Sequence, residues 1–263
     1  MNLLQTLLLS IVEGITEFLP ISSTGHLILT SHLAGVVQTE FVKSFEIIIQ
    51  LGAILAVVVI YFKKLVPINS NLYEIQLRYK NLLIAFLPSA FFGLFFYKYI
   101  KLYLIGNTMV VIWSLLIGGI IMILFEKSHP RGGLLLPPRE ISNKKYFLIG
   151  MFQVLSMIPG VSRAFATIFG GMVVGMKREE AVEFSFLLAI PTMGAATGLD
   201  LIKTDTAVWS NGNMVTLLIG FLVSFITAYI VVKWLIKFVQ SHNFNIFGWY
   251  RIILALLFFV FGL

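Results

Sequence analysis

Apolar residues fall in long blocks along this chain. Six blocks are long enough to cross a hydrocarbon core, which takes about 17–25 helical residues. They are Ser44–Phe62, Asn81–Tyr97, Asn107–Phe125, Phe184–Ile202, Asn213–Val232 and Ile246–Leu263. Two other regions, Met1–Gly35 and Tyr146–Gly175, each hold two short apolar pieces. The first is broken by Leu19-Pro20-Ile21-Ser22-Ser23-Thr24-Gly25-His26 and the second by Pro159-Gly160-Val161-Ser162-Arg163. Non-helical backbone at membrane depth survives only when buried in protein or lining a wet cavity. Both regions therefore predict re-entrant helical hairpins, against the alternative of a full span kinked at Pro. The expected fold is all-α and integral to the membrane, with six transmembrane helices plus two re-entrant hairpins in one domain over residues 1–263.

The basic residues test this arrangement. With loops assigned alternately, one side receives Lys63, Lys64, Arg78, Lys80, Lys127, Arg131, Arg139, Lys144, Lys145, Lys177, Arg178, Lys233 and Lys237. The other receives Lys43, Lys98, Lys101 and Lys203. The positive-inside rule makes the richer side cytoplasmic, so both termini and the first hairpin face outward. A full span in place of either hairpin would swap the later loops and blur the bias. Pro20-Ile21-Ser22-Ser23 and Pro159-Gly160-Val161-Ser162 also lie 139 residues apart, and Phe45 meets Phe184 at the same offset. Three spans separate the hairpins, so the second enters from the opposite face. That predicts an inverted-topology repeat, with repeat one over 1–125 (hairpin 1–35) and repeat two over 146–263 (hairpin 146–175). Secondary transporters share such a plan and keep their sites where broken helices meet.

Composition narrows the class. Of 263 residues, 59% are hydrophobic and 12% charged, with mean hydropathy +0.95. Soluble domains carry about twice that charge, so a cytosolic enzyme, a disordered chain and a nucleic-acid-binding module are excluded. The net charge of +7 reflects the loop bias and implies no nucleic-acid partner. Zero cysteines exclude disulfides, thiol catalysis and Cys-ligated metal. Met1–Val12 has no basic n-region, Glu13 and Glu17 interrupt the apolar stretch, and no small-residue cleavage pattern appears, so this segment reads as part of the mature fold.

Against so few charges, each intramembrane ionisable group is a functional candidate, because placing one there costs about 2.5–3.5 kcal/mol. Glu13 and Glu17 are four apart, on one helix face. Two stacked carboxylates repel, and a divalent metal, an Arg or a shared proton would hold them. Oxygen ligands suit Mg²⁺ or Ca²⁺, and Mg²⁺ commonly joins one or two carboxylates to substrate phosphates. Ser22, Ser23, Thr24 and Gly25 follow at a helix start, where free N–H groups favour an anion. A Ser beside a base can act as a nucleophile, and His26 is the nearest His in sequence. The plainer reading makes Ser22 or Ser23 a helix cap and leaves His26 at the interface. Arg163, behind Ser162, offers a planar fork for phosphate or carboxylate, or a structural ion pair with Glu13 or Glu17. Glu46 and Gln50 read as orienting groups on the first long span, and Arg251 as an interfacial anchor.

Glu13-Gly14-Ile15-Thr16-Glu17-Phe18-Leu19-Pro20-Ile21-Ser22-Ser23-Thr24-Gly25-His26, with Pro159-Gly160-Val161-Ser162-Arg163 and Thr167, resembles the two signatures of the undecaprenyl-pyrophosphate phosphatase (UppP/BacA) family. Phe45-Glu46-Ile47-Ile48-Ile49-Gln50-Leu51-Gly52, Gly170-Gly171-Met172 and Glu183-Phe184-Ser185-Phe186-Leu187-Leu188-Ala189 extend the likeness across the chain. The resemblance implies an enzyme of the bacterial inner (cytoplasmic) membrane that hydrolyses undecaprenyl pyrophosphate to undecaprenyl phosphate and inorganic phosphate. That step recycles the lipid carrier for wall synthesis and is tied to bacitracin resistance. A divalent metal, Mg²⁺ or Ca²⁺, a site open to the outer face, membrane lipid as surroundings and a homodimeric option come with it. By matching position, Glu13 and Glu17 would bind metal or act as acid and base. Ser23 would be the nucleophile, with His26 as rival or base. Ser22, Thr24, Ser162 and Thr167 would contact phosphate, and Arg163 would neutralise it.

One departure stands out. The family usually continues its second signature with Ser and Gly after the Arg, whereas this chain has Ala164 and Phe165. A hydroxyl is absent at 164, and a large ring stands where a small residue would allow close helix approach. The competing functions are a lipid-carrier flippase or transporter, suggested by the repeat, and a non-catalytic lipid-binding paralogue, suggested by Ala164-Phe165.

Overall fold

The computed structural model describes residues 1–66, 72–99, 104, 107–128, 141–203 and 211–260. Every regular element among them is helical. In chain order they are α1 (Leu3–Thr16), α2 (Ser23–Leu33), α3 (Glu40–Ile60), the single turn α4 (Phe62–Leu65), α5 (Leu72–Tyr99), α6 (Thr108–Ser128), α7 (Asn143–Val154), α8 (Arg163–Val173), α9 (Arg178–Lys203), α10 (Asn211–Phe238) and α11 (Asn245–Val260). A 3₁₀ turn, Leu155–Met157, follows α7.

Five helices, α3, α5, α6, α9 and α10, are long and apolar enough to cross a membrane. They coincide with five of the six predicted spans. The sixth, Ile246–Leu263, holds α11, which has 16 residues; residues 261–263 lie outside those described, as do Lys101, Arg131 and Arg139 from the loop comparison. The molecule is a multi-pass helical membrane protein.

Both regions expected to break do so. Each forms two short helices separated by an irregular turn, 17–22 in the first and 155–162 in the second. The first turn is buried in protein, with Phe18 fully enclosed and Leu19 and Ile21 nearly so; Phe18 packs edge-on against Phe186 of α9 at 5.5 Å. That burial is what lets non-helical backbone exist away from water. Ser22 and Ser162 serve as N-caps, their hydroxyls accepting from Gly25 N–H at 3.3 Å and Phe165 N–H at 3.2 Å. The helices after them, α2 and α8, are both 11 residues long. Each ends on a glycine of positive φ, Gly35 at 60° and Gly175 at 104°. There the next residue's N–H reaches back to Ser31 or Gly171, closing a Schellman turn that a side chain would strain.

The cap serines, helix starts and end glycines of the two regions sit 140 residues apart, and their prolines 139. Pro20 lies two residues before its cap serine and Pro159 three. The cap is pinned by hydrogen bonding, whereas a proline can sit anywhere in a turn that needs no backbone donor.

The hairpins are held by close helix approach. α10 packs along α3 and α1, α6 along α11, and α5 along α7. A Cβ at Gly119 would stand 2.7 Å from the Gly248 carbonyl oxygen, and one at Gly14 2.7 Å from the Thr227 Cβ; small residues at such crossings replace the hydrophobic drive that lipid cannot supply. Buried polar groups tie the rest. Ser224 of α10 donates to the Ile49 carbonyl at 2.7 Å, and Gln153 of α7 donates to the Ser89 hydroxyl at 2.6 Å. Glu126, buried at the end of α6, accepts from Arg178 at 2.7 Å and from the Phe244 N–H at 3.0 Å.

Candidate active site

The two turns meet, and the meeting point is where the charges converge. Glu17, just past α1, accepts from the Ser23 hydroxyl at 2.5 Å through one oxygen and from the Arg163 guanidinium at 3.1 Å through the other. These come from the first turn, the start of α2 and the start of α8. Side-chain exposure at the pair is 9% for Arg163 and 7% for Glu17. Such a pair is weak grounds for stability, because apolar packing often serves as well, yet breaking it costs about 3–5 kcal/mol. An arrangement so costly to disturb, and so replaceable for folding alone, points to chemistry.

Arg163 keeps donors in reserve. One N–H goes to Glu17 and another to the Ser185 carbonyl of α9 at 3.2 Å. A guanidinium has five, and its Nε is buried without a partner. The Phe18 ring lies 5.3 Å from its carbon centre, which fixes the plane of the fork. Thr167, one turn along α8, is fully buried. Its hydroxyl engages the Arg163 carbonyl at 2.9 Å and the Ser185 hydroxyl at 2.6 Å, so it braces the arginine from behind.

Glu13 is one helical turn before Glu17 and has no exposure, and neither of its oxygens has a hydrogen-bond partner. Glu17 and Glu46 both lie within its electrostatic reach. Orphaned carboxylate oxygens at full burial, beside a second carboxylate, fit a hard cation with oxygen ligands. Among the described residues no three His, Asp or Glu side chains form a metal cluster, and Glu13 and Glu17 are the pair that would hold such a cation.

The remaining predicted residues divide. Ser22 is almost fully buried and spends its hydroxyl on the cap, whereas Ser23, one residue on, is the free nucleophile candidate. Thr24 is exposed. Ser162 caps α8, and its hydroxyl lies 3.5 Å from the Leu19 carbonyl of the other turn. Ser22 and Ser162 have φ of 74° and 71°, a region that costs a non-glycine residue about 1–3 kcal/mol and collects at functional sites.

His26 stands apart from Ser23. Its Nδ1 bonds the Ser22 carbonyl at 2.7 Å and its Nε2 the Tyr250 hydroxyl at 2.7 Å. The side chain in contact with the Ser23 hydroxyl is the Glu17 carboxylate. Arg251 corrects the sequence reading outright. Rather than an interfacial anchor it is fully buried, because its guanidinium is satisfied by backbone carbonyls of both turns and of α6. Phe165 accounts for the ring at the departing position, lying 4.8 Å from the Arg251 guanidinium. The sequence signal for both was one residue long: the lone cation in the last apolar block.

These features define a polytopic membrane protein with an acid–hydroxyl–guanidinium site built at two broken helices. A family profile described as bacitracin resistance protein BacA matches residues 6–257, and the chain belongs to that family. The chain is 52% identical over 259 residues to an undecaprenyl-diphosphatase of Aquifex aeolicus, covering 98% of each. It is 47% identical to one of Sulfurihydrogenibium, covering 99% of each, and 44% identical to one of Bdellovibrio bacteriovorus, covering 97% of this chain and 94% of the other.

Proposed function

We propose that this protein is a membrane hydrolase that cleaves undecaprenyl diphosphate to undecaprenyl phosphate and inorganic phosphate. The carrying observation is Glu17, which touches the Ser23 hydroxyl with one oxygen and the Arg163 guanidinium with the other. Phosphoryl transfer needs little beyond positioning and charge neutralisation, and those three residues supply a nucleophile, a base and a fixed cation. In this reading the Ser23 oxygen attacks the terminal phosphorus and its proton passes to Glu17. The bond from phosphorus to the bridging oxygen breaks, and undecaprenyl phosphate leaves with that electron pair. Glu17 gives up its proton with the departing undecaprenyl phosphate and is a carboxylate again. Water then attacks the phosphoserine, passing its proton to Glu17, which hands it to the Ser23 oxygen as the bond from phosphorus to that oxygen breaks. Inorganic phosphate departs with Ser23 restored. The spare donors of Arg163 hold the non-bridging oxygens throughout.

Glu13 and Glu17 would hold a divalent metal, Mg²⁺ or Ca²⁺, whose chemistry is to neutralise the diphosphate. Glu13, with both oxygens unpartnered, is the residue whose environment most supports this. The flippase and non-catalytic alternatives are not favoured, since the acid, hydroxyl and arginine all remain and converge despite Ala164 and Phe165.

The finer topology belongs to the same reading: six spans and two re-entrant hairpins in an inverted repeat, lying in the bacterial inner membrane with the site toward the outer face. The 140-residue recurrence of caps and end glycines supports the repeat, and the loop charge bias supports the orientation. The activity is tested by phosphate release from undecaprenyl diphosphate by the purified chain in detergent. Release that falls to background in Glu17→Ala and Arg163→Ala is expected; no release by the native chain, or equal release by both variants, overturns the reading.

A further inference from the structure

Two adjacent residues of α11 hold the backbone of both site turns without touching the reacting groups. Arg251 donates to Pro20 O at 3.2 Å in the first turn, and to Gly160 O and Val161 O, both at 3.0 Å, in the second. It also donates to Ser114 O at 2.9 Å and Leu115 O at 3.4 Å on α6. Its guanidinium occupies the space where a Cβ of Gly118 would lie, with Phe165 covering it at 4.8 Å. Tyr250 reaches the same first turn by a relay. Its hydroxyl is 2.7 Å from His26 Nε2, and His26 Nδ1 is 2.7 Å from Ser22 O. A carbonyl only accepts, so Nδ1 carries a proton; in the neutral ring Nε2 then accepts from the tyrosine. The rings stack at 5.4 Å, inclined by 3°.

A helix tie alone does not call for this hardware. An arginine stays charged, and all five of its described partners are neutral carbonyls. Buried charge of that kind is expensive, and apolar packing would serve folding as well. What a guanidinium adds is a rigid planar fork that fixes three backbone segments at once. The carbonyls it and His26 seize, Pro20 and Ser22, bracket the strained stretch that leads directly into Ser23. Gly160 and Val161 bracket the approach to Ser162 and Arg163 in the same way. A Cβ at Gly160 would meet Val111 O at 2.7 Å, so the second turn is also pressed against α6.

We propose that Tyr250 and Arg251 are positioning residues for the phosphoryl-transfer reaction, locking the two turns in the register that sets Ser23 against Glu17 and Arg163. The inference rests on the phosphatase reading above. It makes His26 a link in the positioning relay, acting through the Ser22 carbonyl and not as the base for Ser23.

The test uses the full chain in detergent with Mg²⁺, reading kcat and KM for phosphate release from undecaprenyl diphosphate alongside thermal melting. Tyr250→Phe removes one hydroxyl and keeps the stacked ring; Arg251→Lys keeps the charge and loses the fork. Misplacing reacting groups by about 1 Å costs about 10²-fold in rate. The expected result is a kcat lower by about 10- to 100-fold in each variant, with KM within about twofold and melting little changed in Tyr250→Phe. The Tyr250→Phe/His26→Ala double variant is expected to be no slower than His26→Ala, and His26→Asn, whose amide can still donate to Ser22 O, to recover part of the loss. A base role predicts equal loss in Asn and Ala. Unchanged kcat in Tyr250→Phe and Arg251→Lys, losses that track melting alone, or additive effects of Tyr250 and His26 would each overturn the proposal. A native chain that releases no phosphate would instead overturn the function on which it rests.

Discussion

Replacing Glu17 by Gln separates the acid's chemical work from its structural work. The amide is isosteric but must choose an orientation. Facing its NH₂ toward Arg163 sets donor against donor, so the oxygen faces Arg163 and the NH₂ faces Ser23. The Ser23 oxygen then accepts a hydrogen bond instead of donating one at 2.5 Å, and no base remains for its proton. The Ser23 hydrogen bond falls from a charge-assisted one of about 1.5–3 kcal/mol to a neutral one of about 0.5–1.5. The Arg163 guanidinium keeps a hydrogen bond but loses its buried counter-ion, a break that costs about 3–5 kcal/mol. The stability cost is therefore about 3–5 kcal/mol, dominated by the uncompensated guanidinium, which a protein of about 5–15 kcal/mol survives with a lowered melting temperature. Loss of a general base is worth about 10²–10⁴ in rate, or about 3–5 kcal/mol of barrier at 1.36 kcal/mol per decade. Phosphate release and melting measured on the same preparation should show kcat down by that factor with the protein still folded at the assay temperature. A variant that melts lower but turns over within about threefold of native would refute Glu17 as the base and reduce it to a counter-ion for Arg163.

Three further substitutions probe the surroundings. Glu13→Gln should raise the Mg²⁺ concentration for half-maximal activity by about 10- to 100-fold; unchanged half-activation in a metal titration would remove Glu13 from the metal site. Ser162→Gly should melt above Ser162→Ala by the equivalent of about 1–2 kcal/mol, because glycine relieves the positive φ of 71° while alanine keeps the strain and loses the cap; the reverse order would show that the turn is not strained. Gly119→Ala should cost about 1–3 kcal/mol by forcing α6 from α11, whereas Gly194→Ala, with nothing within 4 Å of its added Cβ, should be neutral; equal melting of the pair would argue against the close crossing.

The fold was legible wherever membrane physics leaves few choices. A long apolar block can satisfy its backbone in lipid only as a helix, so α3, α5, α6, α9 and α10 followed from length alone. The broken regions were legible because Ser22 to Gly25 and Pro159 to Arg163 interrupt blocks too short to span. The positions of the caps were not, since the prolines that draw the eye are placed differently within turns of different construction. The 3₁₀ turn Leu155–Met157 has no counterpart before Ser22, and only hydrogen bonding reveals that Ser22 and Ser162 are both caps.

The site was legible in its members and illegible in its pairings, for one physical reason. Scarcity of charge in an apolar chain announces which residues matter, so Glu13, Glu17 and Arg163 stood out at once. Partnership depends on where a turn sends its backbone. Ser23 and His26 are three apart on α2 and look like a pair, yet the turn brings Glu17 across to Ser23 and leaves His26 to hold the carbonyl of Ser22. Arg251 misled for the complementary reason. Beside Trp249 and Tyr250 near the end of an apolar block it reads as an anchor at the membrane surface, because nothing nearby in sequence could neutralise it deeper down. What satisfies it is five backbone carbonyls drawn from three segments, one of them, that of Pro20, 231 positions away. Carbonyls belong to every residue and leave no trace in a sequence. A cation satisfied by them is invisible until the chain is folded, and it is the one kind of partner that can grip a backbone without adding a side chain to the site.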